Sequence, residues 1–185
     1  MIPIASLWLP ILLSAVGVFI ASSIIHMALG YHNSDYAKMP GEAGVLGAMR
    51  AAGVQPGSYC FPRAATHKDI AQPEMQAKFK EGPVGFMTVI PSGAPSMGKP
   101  LVLWFLYSVA VGACTAYLAT RTMAFGTPYL KVFQVVGTIA FLAYGFAHLS
   151  NSIWMGQPWR IALKNLLDAL IYGCVTAGVF GWLWP

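Results

Sequence analysis

Residues 7–36 read LWLPILLSAVGVFIASSIIHMALGYHNSDY. From Leu7 to about Met27 the run is apolar except for Ser14, Ser22, Ser23 and His26, and about 20 such residues cross a hydrocarbon core at 1.5 Å per residue. This is a first membrane-spanning helix. Pro10 is tolerated in its first turn, and Gly30 ends it as a C-terminal cap. No Lys or Arg precedes the run, so it lacks the basic region of a cleavable signal peptide and reads as a retained helix. It closes on His26, His32 and Asp35, and the rest of the chain is read outward from that edge.

Of 185 residues, 57% are apolar and 9% charged, against about 25% charged in soluble domains. The mean hydropathy of +0.61 comes from a few long apolar blocks, with nearly all polar residues in one segment between them. The composition predicts an all-α membrane bundle of four transmembrane helices, with a small α+β extramembrane cap between helices one and two. Residues 1–29 form the first helix, 30–98 the cap and 99–185 the remaining three helices.

The cap is too long and too patterned for a bare connector. Gly41 to Ala52 reads as an amphipathic helix stopped by Gly53. Ser58 to Phe61 and Val84 to Ile90 read as short strands bounded by Gly and Pro, expected to pair, and Pro73 to Glu81 as a helix with Pro in its first position. Glycines between Gly82 and Gly98 lack the Lys-Ser/Thr of a phosphate loop and do not open a helix, so they serve tight turns.

Leu101 to Ala119 is the second spanning helix. Thr127 is expected to cap the third, with Pro128 at its first position, running from Tyr129 to Ser150. The fourth starts near Pro158 after a Trp-rich connector and continues to Trp182, where Trp182 and Trp184 suit an interface. Small residues recur every four positions at Gly17 and Ala21, at Ser108, Gly112 and Ala116, and at Gly173, Ala177 and Gly181. Such stripes let helix backbones approach closely, either inside the bundle or on a face that docks another subunit.

A net charge of +5 and a pI near 9.2 do not indicate nucleic acid, because the basic residues are scattered and not interleaved with aromatics. They fit membrane topology and lipid headgroups. Cys114 and Cys174 lie in apolar blocks and Cys60 is alone in the cap, so neither a zinc ribbon nor a disulfide framework is indicated.

Four crossings place both termini on one side and bring His26, His32, Asp35, His67, His148, Arg160, Lys164 and Asp168 to the other. Lys38, Lys99, Arg160 and Lys164 there, against Arg121 and Lys131 opposite, tilt that face towards the cytoplasm, and a periplasmic cap stays open. An ionisable residue within a span is a functional candidate by default. His26 and His148 are the candidate cofactor ligands, with His26, His32, Asp35 and His148 as a candidate metal set, for an ion or a tetrapyrrole. No HxxxH, HExxH or ExxH spacing supports them. The competing reading has these histidines hydrogen-bonding at the interface. Lys164 and Asp168, four apart, are expected to pair with each other.

HMALGYHNSDY, GPVGFMTVIPSG, SIWMGQPW and the ending AGVFGWLWP resemble a family of bacterial hypothetical multi-pass membrane proteins over most of the chain. The resemblance implies a bacterial inner membrane and brings no activity and no site residues. With no catalytic motif and three small-residue stripes, the sequence points away from an enzyme. It points to an accessory subunit of a larger, energy-transducing membrane complex, respiratory or photosynthetic, with other membrane subunits and lipid as partners, no nucleic acid, and a homo-oligomer left open. The alternative is a metal- or haem-binding membrane redox protein built on the interfacial histidines.

Overall fold

The computed structural model describes residues 2–185, which form two compact units: one of residues 2–36 and Ser96–Pro185, the other Ala37–Pro95. Four helical spans, Ile4–Ala28, Gly98–Thr122, Tyr129–Trp154 and Trp159–Trp182, are long and apolar enough to cross a membrane. The protein is thus a multi-pass membrane bundle whose outer surface meets lipid, with a small two-stranded sheet in the segment between the first and second spans.

The first span is a helix, α1 (Trp8–Ser23), entered through a 3-10 turn and left through a π turn at Ile24–Ala28. In the second unit come α2 (Glu42–Ala51), β1 (Gly57–Phe61), α3 (Pro73–Glu81) and β2 (Gly85–Val89). The bundle resumes with α4 (Gly98–Thr122), α5 (Tyr129–Gly145), α6 (Ala147–Trp154) and α7 (Trp159–Trp182). Each expected spanning helix is present. The third is interrupted at Phe146, and its last turns, α6, take up much of what reads as connector in the sequence.

Side-chain size is sorted in the direction lipid requires. Ala15, Thr115, Ala116, Ala119, Ala140, Ala162, Ala169 and Ala177 are buried inside, while Leu12, Ile20, Leu106, Leu118, Leu142, Leu163 and Leu170 are exposed outside. Lipid tails are as apolar as leucine, so nothing drives large side chains inward, and small ones let helices pack closely. α1 packs on α4 and α7, and α5 packs on the same two, closing a ring.

The three stripes of small residues lie within this ring. A Cβ on Gly173 would stand 3.1 Å from the Gly137 carbonyl and 3.2 Å from the Phe141 nitrogen, one on Gly17 2.8 Å from Val175, and one on Gly181 2.7 Å from Tyr129. Ser108, Gly112 and Ala116 are buried, with Gly112 against Ile11. The docking-face reading of these stripes therefore falls, since close internal crossings use them. A Trp104 Nε1–H bond to Ser22 Oγ at 2.8 Å joins α4 to α1.

At one end of the ring Ile2 and Leu7 pack with Met123 and Phe180, and Trp184 Nε1–H donates to the Ala124 carbonyl at 3.0 Å. The Thr127 cap is not made. Its hydroxyl turns back to the Ala124 carbonyl at 2.8 Å, and Pro128 stands ahead of α5 in extended conformation.

In the second unit β1 and β2 pair antiparallel from Gly57 opposite Val89 to Phe61 opposite Gly85, as expected. Pro73 occupies the first turn of α3. No residue from Ala37 to Pro95 is buried.

Candidate functional site

The site grows from the end of α1. In the π turn the Leu29 N–H reaches back to the Ile24 carbonyl at 3.1 Å. Such a turn fits one more residue than an α-helical turn and recurs at functional sites. His26 sits in it. Gly30 follows at φ 62°, a left-handed conformation glycine enters without steric cost, and a 3-10 turn, Tyr31–Ser34, lies after it. Residues 31–35 meet the opening turns of α7, where Lys164 and Asp168 share one face.

Asp168 is 3% exposed. Its Oδ1 accepts the Tyr31 hydroxyl, and its Oδ2 lies 2.9 Å from His32 Nε2 and 3.9 Å from His26 Nε2. The other ring nitrogen of His32, Nδ1, is 2.6 Å from Asp35 Oδ2. Lys164 Nζ donates to Asp35 Oδ1 at 2.6 Å, to the Tyr31 carbonyl at 2.6 Å and to Ser34 Oγ at 2.9 Å. Lys164 and Asp168 thus bind the 31–35 segment and not each other, which corrects the expected pairing. Neighbours along a helix face yield to partners that arrive from another element.

Asp35 lies outside the spans. Burial works to raise its pKa, but hydrogen bonds from Lys164 and His32, with their charges, outweigh it and hold the carboxyl below its ordinary 3.8. An ionised Asp35 accepts a hydrogen bond from Nδ1–H of His32, so a neutral His32 turns a lone pair on Nε2 towards Asp168. Two acceptors 2.9 Å apart repel. The contact needs a shared proton or a cation there: a second proton on His32, a proton on the Asp168 carboxyl donated to Nε2, or a metal ion.

His26, His32 and Asp168 each offer one ligand atom, and those atoms lie within 4.8 Å of one another. Bonds of about 2.0–2.1 Å in tetrahedral geometry put ligand atoms about 3.3 Å apart. Two of the three separations, 2.9 and 3.9 Å, bracket that spacing, and the third, between His26 and His32, lies within 4.8 Å. Asp35 stands behind His32, where a carboxylate would orient the imidazole of a metal ligand.

The sequence candidates thus separate. His26 and His32 converge with Asp168, and Asp35 supports them from behind. His148 stays outside the ligand group, its Nδ1 3.3 Å from Asn165 Nδ2. It shares with His26 and Asn165 the walls of two pockets of about 380 and 400 Å³, the first also lined by His32 and Asp35, the second by Asp168 and Tyr172. His67 belongs to the other unit, in a pocket with Cys60, Arg63 and Phe86. Sequence reasoning missed Asp168 as a member of the cluster and Tyr31 as its partner. The usable signal was an acid inside a spanning segment, which is expensive there unless it has a task.

Searched against protein-family models, curated proteins and solved structures, the chain matches none.

Proposed function

We propose that the protein is a metal-binding redox protein of a bacterial inner membrane, with both termini on one side, holding a divalent ion on His26, His32 and Asp168. The observation that carries this reading is the convergence of one ligand atom each from His26, His32 and Asp168 within 4.8 Å, with the Asp35 carboxylate against the far nitrogen of His32. Two histidines and one carboxylate leaving other positions open is the donor set of non-haem iron(II) centres. The adjoining pockets give those open positions room. A tetrapyrrole fits less well, since it needs a histidine standing alone over a flat slot, while these three donors crowd round one point.

The test is metal analysis of the full chain purified in mild detergent. About one equivalent of iron or another divalent ion is expected, with loss in His32→Ala and Asp168→Asn and retention in His67→Ala, whose histidine belongs to the other unit. A metal-free wild type that also fails to take up iron(II) or zinc sinks the proposal, and the network is then a latch closed by a proton shared between His32 and Asp168.

A second reading, an accessory subunit of a larger membrane complex, is favoured by the second unit. None of its 59 residues from Ala37 to Pro95 is fully buried, while Met49, Val54, Met75, Phe79, Met87 and Val89 are half-buried, and a chain that short needs a fuller core or a cover to hold a fold. Tyr59, Phe61, Val84, Phe86 and Ile90 are exposed on or beside the two strands. Native mass of the particle extracted from its own membrane tests this, and a particle of this chain alone removes it.

A further inference from the structure

The pocket of about 400 Å³ between His148 and Tyr172 has features the metal reading does not use. Trp104, Tyr107, Tyr144 and Tyr172 wall it, with the Trp104 ring centroid 5.6–6.0 Å from those of the three tyrosines. Trp104 and Tyr172 lie in spans long and apolar enough to cross a membrane, so lipid borders the pocket and a lipid-soluble occupant suits it. An aromatic wall suits a flat ring, whose faces and edges find complementary rings.

Two residues of the same wall carry donors, one of them enclosed behind the pocket surface. Tyr172 is 4% exposed, and its hydroxyl is buried with no hydrogen-bond partner, a state that is costly unless something else accepts the proton. Asn165 Nδ2 donates to Nδ1 of His148, which leaves the proton of a neutral His148 on Nε2. Both groups ask for acceptors.

We propose that this pocket binds a lipid-soluble planar ring bearing carbonyl acceptors, of the quinone class, with Tyr172 and His148 as its hydrogen-bond donors. The site shares His26 and Asp168 with the metal cluster, but binding does not depend on the ion.

The experiment uses the full chain in nanodiscs and a radiolabelled decyl-substituted benzoquinone, with decylbenzene as the competitor that lacks carbonyls, and metal content measured on the same samples. Saturable one-to-one binding that decylbenzene does not displace is expected. Tyr172→Phe should weaken it about tenfold, the loss of one hydrogen bond. Ala143→Phe, which adds a ring at an exposed residue lining the pocket, should abolish it while the metal content stays. Binding that only partitions with lipid, or that neither substitution changes, overturns the proposal. Saturable binding in a preparation without metal keeps this proposal and removes the metal reading alone.

Discussion

His32 and Asp168, 136 positions apart in the chain, face each other across 2.9 Å between Nε2 and Oδ2. The first is on the 3-10 turn after α1 and the second is in the third turn of α7, so the contact joins two spans near the end where residues 31–35 double back. Asp35 on the far side of His32 makes the imidazole directional. That geometry separates a metal ligand from a protonated bridge by experiment.

Asp35→Asn removes the orienting carboxylate and touches no ligand atom. For a metal centre the expected result is a 10–100-fold weaker affinity for the ion at unchanged stoichiometry. Competition with a chelator of known strength measures it. Affinity within threefold of wild type would show that Asp35 serves only the Lys164 pair.

Lys164→Met tests the latch itself. Lys164 is 22% exposed in its side chain and Asp35 5%, and removing one partner of such a pair leaves a carboxylate desolvated, at a cost of about 3 kcal/mol. Lys164→Met with Asp35→Asn should recover more than half of that, because no uncompensated charge remains. Reversible unfolding in mixed micelles gives the double-mutant cycle. Strict additivity of the two single effects would contradict a direct pair.

The bundle was open to reading in the sequence because hydrocarbon leaves a coarse mark: four apolar runs of sufficient length, each ended by Gly, Pro or a charge. Gly30 and Pro73 act locally, and they stand where local chemistry puts them. The site was half visible. Topology alone brings His26, His32 and Asp35 to the same face as Asp168, but which of them touch depends on the turn at Gly30 and on the wide last turn at Ile24–Ala28, neither of which leaves a periodic signal. Lys164 and Asp168 misled for a related reason. Four-residue spacing sets who can meet along a helix, and a third element decided otherwise. The small-residue stripes show closeness of approach without showing to what, and Gly137 and Phe141 supply the answer for Gly173.

Gly173→Ala should loosen the α5–α7 crossing. The new methyl would stand 3.1 Å from the Gly137 carbonyl and 3.2 Å from the Phe141 nitrogen, backbone atoms that do not swing aside. An overpacking cost of about 1–3 kcal/mol follows. Gly178→Ala on the same helix is the control, since the nearest atom to its added methyl is the Tyr129 hydroxyl at 3.9 Å. It should be neutral or stabilising by a few tenths of a kcal/mol, because glycine is a poor helix residue. Equal effects of the two substitutions in a thermal-unfolding assay would remove the claim that this crossing is set by backbone contact.

The unit Ala37–Pro95 should not hold its fold alone. Two five-residue strands pair in it, and an isolated pair of that length is marginal in water. α2 and α3 have 10 and 9 residues, below the length at which helices persist unaided. With no fully buried side chain and only half-buried ones such as Met75, Phe79, Met87 and Val89, less apolar area leaves water on folding than a closed core would remove to offset the entropy of ordering the chain. Residues 37–95 expressed alone should therefore give amide proton shifts crowded into the narrow range of an unfolded chain. Adding lipid vesicles or the chain's native membrane extract should spread them only if one of these supplies the missing cover. A well-dispersed spectrum of the isolated segment in plain buffer would show a self-sufficient fold and would take from the accessory-subunit reading the observation that favours it.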